Sequence, residues 1–254
     1  MIAAAQQQVS RANQSPCAKV SFSLIGRELP ADHGYLVYSA ISRSTPSLHA
    51  VDWLGVELIS GVPSGRGLIA LPDRGASLHL RIPADHYRDV LALAGKRLEI
   101  GGHQIRLGLP VARPFEPAPS LYARVVTIKK FTEVEPFLES VKRKLDSFGV
   151  QGRVELPRDE QGRYRRRIVT IHGKSVVGFS VAVHDLNDDD SLLLQAGAVK
   201  VIAPEDGSIK WQSIFSRRAM GCGLFNPIEI DEDSFSNSVE RMGNEDYVRS
   251  VTAN

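Results

Sequence analysis

The first half of the chain carries strand-like and helix-like hydrophobic patterns in turn. From Lys19 to Ile25 the apolar residues fall at every second position, which predicts a strand with one buried face. Residues 35–44 carry apolar side chains at helical spacing, and Pro46 ends that helix. The later pattern predicts a strand at 54–59, a strand within 68–82, a helix after Pro83 that ends at Gly95, and a hairpin-like last strand at 98–109. The predicted order is β-α-β-β-α-β.

The second half repeats this order. Strand-like alternation at 121–129 precedes a helix from Val134, whose apolar residues form a stripe with a 3.6-residue period. The elements predicted after it are strands at 165–171 and 175–184, a helix at 188–195 begun by one of its leading acidic residues, and a last strand at 223–225. We therefore expect an α+β fold of two tandem ferredoxin-like (RRM-like, βαββαβ) domains with an acidic C-terminal tail.

A cluster of prolines marks the expected domain boundary. Pro110, Pro114, Pro117 and Pro119 follow the first predicted repeat and favour a stiff linker. The predicted segments are an N-terminal ferredoxin-like domain at 18–113, the linker at 114–120, a C-terminal ferredoxin-like domain at 121–230 and the acidic tail at 231–254. The Ser, Asn, Asp and Glu content of the tail predicts disorder.

Charge is unevenly distributed along the chain. The 254 residues carry a formal net charge of +2. Seven acidic and two basic residues follow Pro227, so the first 227 residues carry a net charge of +7. Because the tail masks a basic body, the near-neutral total does not exclude binding to nucleic acid.

Composition excludes several other classes of protein. The chain is 43% hydrophobic, which is typical of a soluble protein, and no apolar stretch approaches the ~20 residues of a membrane span. Its first residues lack the features of a signal peptide, so we expect a cytoplasmic protein with no membrane partner. Cys17 and Cys222 cannot form a disulfide framework or a four-ligand zinc site, and no close His/Cys cluster is present. We expect no metal and no cofactor.

One segment imitates a phosphate-binding loop. The run His172-Gly173-Lys174-Ser175 matches the end of a P-loop, but Ile168 stands where that loop needs glycine. Ser175 also opens a predicted strand rather than a helix. A glycine-containing hairpin turn is therefore the better interpretation.

Three basic clusters predict a surface that follows phosphates. They are Lys142-Arg143-Lys144 on the long helix, Arg163 to Arg167 entering a strand, and Arg217-Arg218. Each alone is typical of a solvated face, but together on a basic body they favour binding to a nucleic acid backbone. Aromatic residues make up 7% of the chain, and no Lys/Arg-Gly-Phe-Gly-Phe strand is present for stacking bases. We expect contacts mainly to phosphates of a structured RNA.

Several segments, taken in order, resemble a known family. Residues 216–225, Ser-Arg-Arg-Ala-Met-Gly-Cys-Gly-Leu-Phe, resemble its C-terminal motif. Weaker matches lie at 29–35, 47–49, 176–179 and 191–195. In this order they are similar to the CRISPR-associated precursor-crRNA processing endoribonucleases of the RAMP superfamily, which are built from two ferredoxin-like domains.

The chain departs from that family at one place. The family carries a glycine-rich segment directly before the paired arginines, and here Ser213-Ile214-Phe215-Ser216 replaces it. About twenty residues, 196–213, are also interposed before the arginines. Glycine-rich loops let backbone N–H groups approach a phosphate closely, so the departure affects the expected contacts of this loop with RNA.

The resemblance implies a metal-independent endoribonuclease that cleaves precursor CRISPR RNA within its repeats. In the family a 2′-hydroxyl attacks the adjacent phosphate and leaves a 2′,3′-cyclic phosphate and a 5′-hydroxyl. The catalytic histidine lies near the first helix, so His49 is the first candidate and His33 the second, with a satisfied polar residue as the alternative for each. Tyr35 or Tyr38 on that helix is expected to position the 2′-hydroxyl, with packing as the alternative for at least one.

The resemblance also implies partners. The expected RNA-binding residues are Arg217, Arg218, Lys142, Arg143, Arg165, Arg166, Arg167 and Lys174. The expected partners are stem-loop CRISPR repeat RNA and the crRNA product, with a CRISPR effector complex as a further candidate and no direct contact with DNA. Two alternatives stay open: a non-catalytic RNA-binding RAMP subunit of an effector complex, and a generic metal-independent ribonuclease.

Overall fold

Two ferredoxin-like domains follow one another along the chain, which confirms the predicted fold class. The structure is a computed structural model that describes residues 16–202 and 208–228, so the predicted acidic tail at 231–254 lies outside the described residues. Within these ranges no helix is both long and apolar enough to cross a membrane.

The N-terminal domain is built on a five-stranded antiparallel sheet. Its strands are β1 (Cys17–Ile25), β3 (Gly55–Val56), β6 (Ser77–Pro83), β7 (Arg97–Ile100) and β8 (His103–Pro114). Its helices are α1 (Gly34–Ser44) and α2 (Tyr87–Leu91), and a second sheet contains β2 (Glu28–Pro30), β4 (Val62–Gly65) and β5 (Leu68–Ala70). The main sheet has the order β3-β6-β1-β8-β7. Strands β1 and β3 precede and follow α1 in the chain, and β6 lies between them in the sheet.

The position of α1 against the main sheet is set by the alternation of buried and less buried side chains along β1. Val20 and Phe22 are fully buried and belong to one core with Val37 and Ile41 of the helix. Residues two apart share a face of a strand, and residues four apart share a face of a helix. The packing of these two faces fixes both ends of α1, where the candidate site residues lie.

The C-terminal domain repeats the arrangement. Its elements are β9 (Leu121–Val126), α3 (Val134–Ser147), β10 (Arg153–Glu155), β11 (Arg166–Ile171), β12 (Lys174–His184), α4 (Asp188–Ala196), β13 (Ala198–Ile202), β14 (Ile209–Ser213) and β15 (Phe225–Pro227). The sheet has the order β10-β12-β9-β15, and β11 pairs with β12. The prediction that an acidic residue caps α4 is wrong, because Asn187 is the cap and its side chain accepts a hydrogen bond from Asp190 N at 2.8 Å.

The interposed segment before the arginines contains an antiparallel hairpin, β13–β14, that contacts both domains. Val199 is fully buried in the core of the C-terminal domain, whereas Trp211 packs against the core of the N-terminal domain. Lys200 Nζ lies 2.9 Å from the carboxylate of Asp85 in the N-terminal domain. The hairpin therefore fastens the two domains together.

A buried arginine also joins the domains. Arg81 of β6 is 1% exposed, and its Nη1 donates hydrogen bonds to the carbonyl oxygens of Gln195 at 2.8 Å and Phe225 at 2.6 Å. Its Nε donates to the carboxylate of Glu57 at 2.7 Å. These charge-assisted hydrogen bonds hold α4 and β15 against the first sheet.

Candidate functional site

His49 lies just beyond α1 with its ring exposed. A 3-10 turn, Pro46–Leu48, follows the helix and is anchored by the fully buried Leu48, so the next residue emerges at the surface. The hydroxyl oxygen of Tyr38 lies 3.3 Å from His49 Nδ1 and accepts a hydrogen bond from Ala50 N at 3.0 Å. The two rings are stacked with centroids 5.9 Å apart. These contacts orient the imidazole of His49.

The second predicted histidine, His33, is buried rather than accessible. It is 1% exposed, its Nδ1 lies 2.8 Å from the carbonyl oxygen of Pro30, and its Nε2 accepts a hydrogen bond from Ile59 N at 2.9 Å. A neutral imidazole with the proton on Nδ1 satisfies both contacts. The prediction of His33 as a catalytic residue is therefore corrected, because both ring nitrogens bind the backbone inside the first domain.

Tyr35, which was expected to position the 2′-hydroxyl, contacts a different histidine. Its hydroxyl oxygen lies 2.9 Å from Nδ1 of His172, and the ring centroids are 4.5 Å apart. His172 is exposed in the turn between β11 and β12, so this contact links α1 to the second domain. The tyrosine beside His49 is instead Tyr38. Sequence reasoning treated His172 as a turn residue, since its partner is 137 positions away.

A cavity of about 310 Å³ opens between the domains beside Tyr35. Its walls come from the β4–β5 hairpin, the start of α1 and strand β11, and they include Arg66, Arg124 and Arg167. Burial lowers the pKa of Arg167, against the opposing effect of Tyr122. Three guanidinium groups around one cavity are suited to binding phosphate.

A wider groove of about 870 Å³ lies between α3, β14 and the segment after β9. Its basic lining residues are Lys129, Arg143, Lys144 and Arg217. Arg217 is half-buried, and its Nη1 donates a hydrogen bond to Thr127 Oγ1 at 3.0 Å. The structure thus brings the basic cluster of α3 and Arg217 into one groove, as a phosphate-binding surface requires. We call this the basic groove.

Arg218 is buried, unlike Arg217. It is 3% exposed, and its guanidinium donates hydrogen bonds to the carbonyl oxygens of Trp53 at 3.4 Å and of Ala196. Burial lowers the pKa of Arg218 to about 9, and the charge of Arg81 acts in the same direction, so the group stays charged at neutral pH. The prediction of Arg218 as an RNA-binding residue is wrong, because its guanidinium lies between the domains. We call Arg81, Arg218 and the carbonyl groups that they bind the domain seam.

The other predicted RNA-binding residues lie on α3 and the β11–β12 hairpin. Lys142, Arg166 and Lys174 are exposed. Arg166 faces away from Arg167, as alternation along β11 requires. Arg165 is half-buried, and its Nε donates a hydrogen bond to the carbonyl oxygen of Arg158 at 3.3 Å. Of the predicted RNA-binding residues, Arg167 lines the interdomain cavity, whereas Lys142, Arg165, Arg166 and Lys174 lie outside its lining.

The polar side chains described in this region include imidazole, phenol and guanidinium groups. Imidazoles transfer protons near neutral pH, and guanidinium groups stabilise developing negative charge. In the part of the chain that the structure describes, no group of three or more His, Cys, Asp or Glu side chains could hold a metal ion.

Most of the chain matches one protein family. The family model of Cas6 CRISPR proteins matches residues 19–229. The chain belongs to the Cas6 family. It is 38% identical over 206 residues to the CRISPR-associated endonuclease Cas6 of Myxococcus xanthus (strain DK1622), a match that covers 81% of this chain and 79% of that protein.

Solved structures share the fold of this Cas6 family member. A CRISPR-associated protein Cas6 superimposes with a TM-score of 0.55 at 12% identity, covering 84% of this chain and 100% of the other. The product of a Cas6-related gene from Pyrococcus furiosus superimposes with a TM-score of 0.57 at 12% identity, covering 84% and 99%. The family predicted from the ordered motifs is thereby confirmed, together with its tandem ferredoxin-like fold.

Proposed function

We propose that this Cas6 family member is a metal-independent endoribonuclease that cleaves precursor CRISPR RNA within its repeats to give mature crRNA. The observation that carries the proposal is the exposed ring of His49, which Tyr38 orients at the end of α1. The 38% identical relative is named an endonuclease, which supports a nuclease over a non-catalytic RNA-binding subunit.

The proposed reaction needs one proton removed and one supplied. A base takes the proton of a 2′-hydroxyl as its oxygen attacks the adjacent phosphorus. The bond from phosphorus to the 5′-oxygen then breaks, and that oxygen takes up a proton, which leaves a 2′,3′-cyclic phosphate and a 5′-hydroxyl. When His49 Nδ1–H donates to the Tyr38 hydroxyl oxygen, Nε2 is available as the base.

The proposed substrate is a stem-loop CRISPR repeat RNA whose backbone follows the basic groove towards His49. Asp52, three residues after His49, lines the same groove as Arg143 and Arg217. Cations along this path neutralise phosphates and hold the RNA in register. A solved RAMP protein that binds different RNA substrates superimposes with a TM-score of 0.52 at 14% identity, covering 84% of this chain and 100% of that one. The crRNA product and a CRISPR effector complex are the further proposed partners.

Cleavage of a labelled repeat RNA in EDTA tests this proposal. We expect the wild-type protein to cut at one position within the repeat. His49→Ala should lower the single-turnover rate about 10²–10⁴-fold with little change in affinity, because it removes a proton-transfer group from the reaction alone. Tyr38→Phe should lower the rate less, because the ring packing stays in place.

His103→Ala is the matched control. His103 is a partly exposed histidine of the same domain, 3.6 Å from the Glu28 carboxylate, and this variant should cut at the wild-type rate. Wild-type protein that binds the repeat and leaves it intact would contradict the proposal and indicate an RNA-binding subunit. Cutting of arbitrary RNA would instead indicate a generic ribonuclease.

A further inference from the structure

We infer that His172 is a second proton-transfer residue of this site, acting as the general acid that protonates the leaving 5′-oxygen. The inference rests on the proposed function and names a group from the C-terminal domain for it. The proposed cleavage site is then complete only when the two domains are docked.

The backbone of His172 is the first observation. His172 and Gly173 form a two-residue turn, because Ile171 pairs directly with Lys174. Their φ angles are 49° and 72°, as a type I′ turn requires. Asn or Asp is the favoured first residue of such a turn, and His is also enriched at positive φ among residues with a side chain. The turn therefore holds the side chain of His172 at the tip of the β11–β12 hairpin.

Two hydrogen bonds hold the turn against the first domain. The Tyr35 hydroxyl oxygen lies 2.9 Å from His172 Nδ1, and Thr170 N donates to the carboxylate of Asp32 at 2.7 Å. Asp32 directly precedes the N-cap residue of α1, His33. The imidazole of His172 is therefore fixed beside the first turn of α1, next to the interdomain cavity.

Two tyrosines on one side of α1 each contact a histidine. Residues three apart on a helix share a face, with Cβ atoms about 5–6 Å apart. Tyr35 binds His172 and Tyr38 binds His49, so the two Tyr–His pairs lie on neighbouring turns. In-line cleavage needs a base at the entering oxygen and an acid at the leaving oxygen, on opposite sides of the phosphorus. Two histidines meet this need, and one cannot serve both oxygens at once.

Hydrogen bonding favours His172 as the acid. A general acid begins as an imidazolium, whose Nδ1–H needs an acceptor. At His172 that acceptor is the Tyr35 hydroxyl, which lies 2.9 Å away. Within residues 16–202 and 208–228, the Tyr35 hydroxyl has no other hydrogen-bond partner. At His49 the Tyr38 hydroxyl is 3.3 Å away and already accepts a hydrogen bond from Ala50 N. The charged imidazole is thus better supported at His172.

The step balances without any further reactant. The proton on His172 Nε2 passes to the 5′-oxygen as the bond between that oxygen and phosphorus breaks, which leaves the ring neutral. His49 Nε2 takes the proton of the 2′-hydroxyl and becomes charged. The two rings return to their starting states by proton exchange with water.

An RNA with sulfur in place of the bridging 5′-oxygen at the cut site tests the inference, because a thiolate leaves without being protonated. His172→Asn is the informative variant, since asparagine is favoured in this turn and its amide cannot protonate the leaving oxygen. On ordinary RNA we expect this variant to lose about 10²-fold or more in single-turnover rate at unchanged affinity. On the sulfur-containing RNA its rate should return to about the wild-type rate.

His49→Ala is the matched comparison. It should stay slow on both RNAs, because a better leaving group does not replace a missing base. Wild-type rates for His172→Asn on ordinary RNA, or equal slowing on both RNAs, would overturn the inference. Rescue confined to His49→Ala would also overturn it. A wild-type protein that cuts neither RNA would instead refute the proposed function, and the inference with it.

Discussion

Arg217 and Arg218 are neighbours in the sequence but belong to two different regions of the molecule. Arg217 is half-buried in the basic groove, whereas Arg218 is 3% exposed in the domain seam. The backbone accounts for the divergence, because Arg217 adopts a left-handed conformation with φ 63° and Arg218 begins a 3-10 helix, Arg218–Met220. One change of backbone direction therefore sends identical side chains to different places.

The difference between the two arginines shows that burial determines whether a guanidinium group stabilises the fold or is available to bind phosphate. In the domain seam a guanidinium has lost its water and binds backbone carbonyl groups, so removing it leaves buried acceptors without a donor. In the basic groove a guanidinium keeps contact with water, so removing it costs the fold little and takes a positive charge from the RNA surface. A paired-arginine motif thus combines a structural role with a proposed binding role.

The largest expected effect is on stability at the domain seam. Arg218→Ala should lower the free energy of unfolding by about 2–5 kcal/mol, because the carbonyl groups of Trp53 and Ala196 lose their donor. Arg218→Lys keeps the charge and one donor, so it should lose less. Denaturant unfolding measures both variants. A change within about 0.5 kcal/mol for Arg218→Ala would show that the seam does not depend on this residue.

A smaller effect is expected in the basic groove. Arg217→Ala should change the free energy of unfolding by less than about 0.5 kcal/mol. Its RNA affinity should fall, and the slope of log Kd against log salt concentration should decrease by about the amount expected for one lost phosphate contact. Arg143→Ala, in the same groove, should act similarly. Arg97→Ala removes an exposed arginine from the edge strand β7 and is the control. A salt dependence in Arg217→Ala equal to that of the control would remove Arg217 from the RNA surface.

Local periodicity was sufficient to predict the βαββαβ order of each domain, but not the second sheet of the first domain, strand β10 or the hairpin between α4 and the arginines. The faces of β1 and α3 each pack within one domain, so their periods of 2 and 3.6 residues are visible in the sequence. The β13–β14 hairpin packs into two cores at once, with Val199 in one and Trp211 in the other. No single periodic face marks it, and the sequence pattern there looked irregular.

The candidate site could be predicted only in part, because its contacts are distant in the chain. His33 and His49 flank the same helix, and their difference in exposure comes from the backbone of Pro30 and Ile59, which binds both ring nitrogens of His33. The pairing of Tyr35 with His172 crosses 137 positions and depends on domain docking. Residue type and local order therefore pointed to the right helix, but could not say which side chains meet there.

The proposed attack by the 2′-hydroxyl is tested most directly by removing that one oxygen atom from the substrate. The measurement compares cleavage, in EDTA, of a repeat RNA with cleavage of the same RNA carrying one 2′-deoxynucleotide directly before the cut. We predict that the protein cuts the first RNA to 2′,3′-cyclic phosphate and 5′-hydroxyl ends, and binds the second with similar affinity without cutting it. Cleavage of the deoxy-substituted RNA, or 3′-hydroxyl and 5′-phosphate ends from the first, would contradict this mechanism.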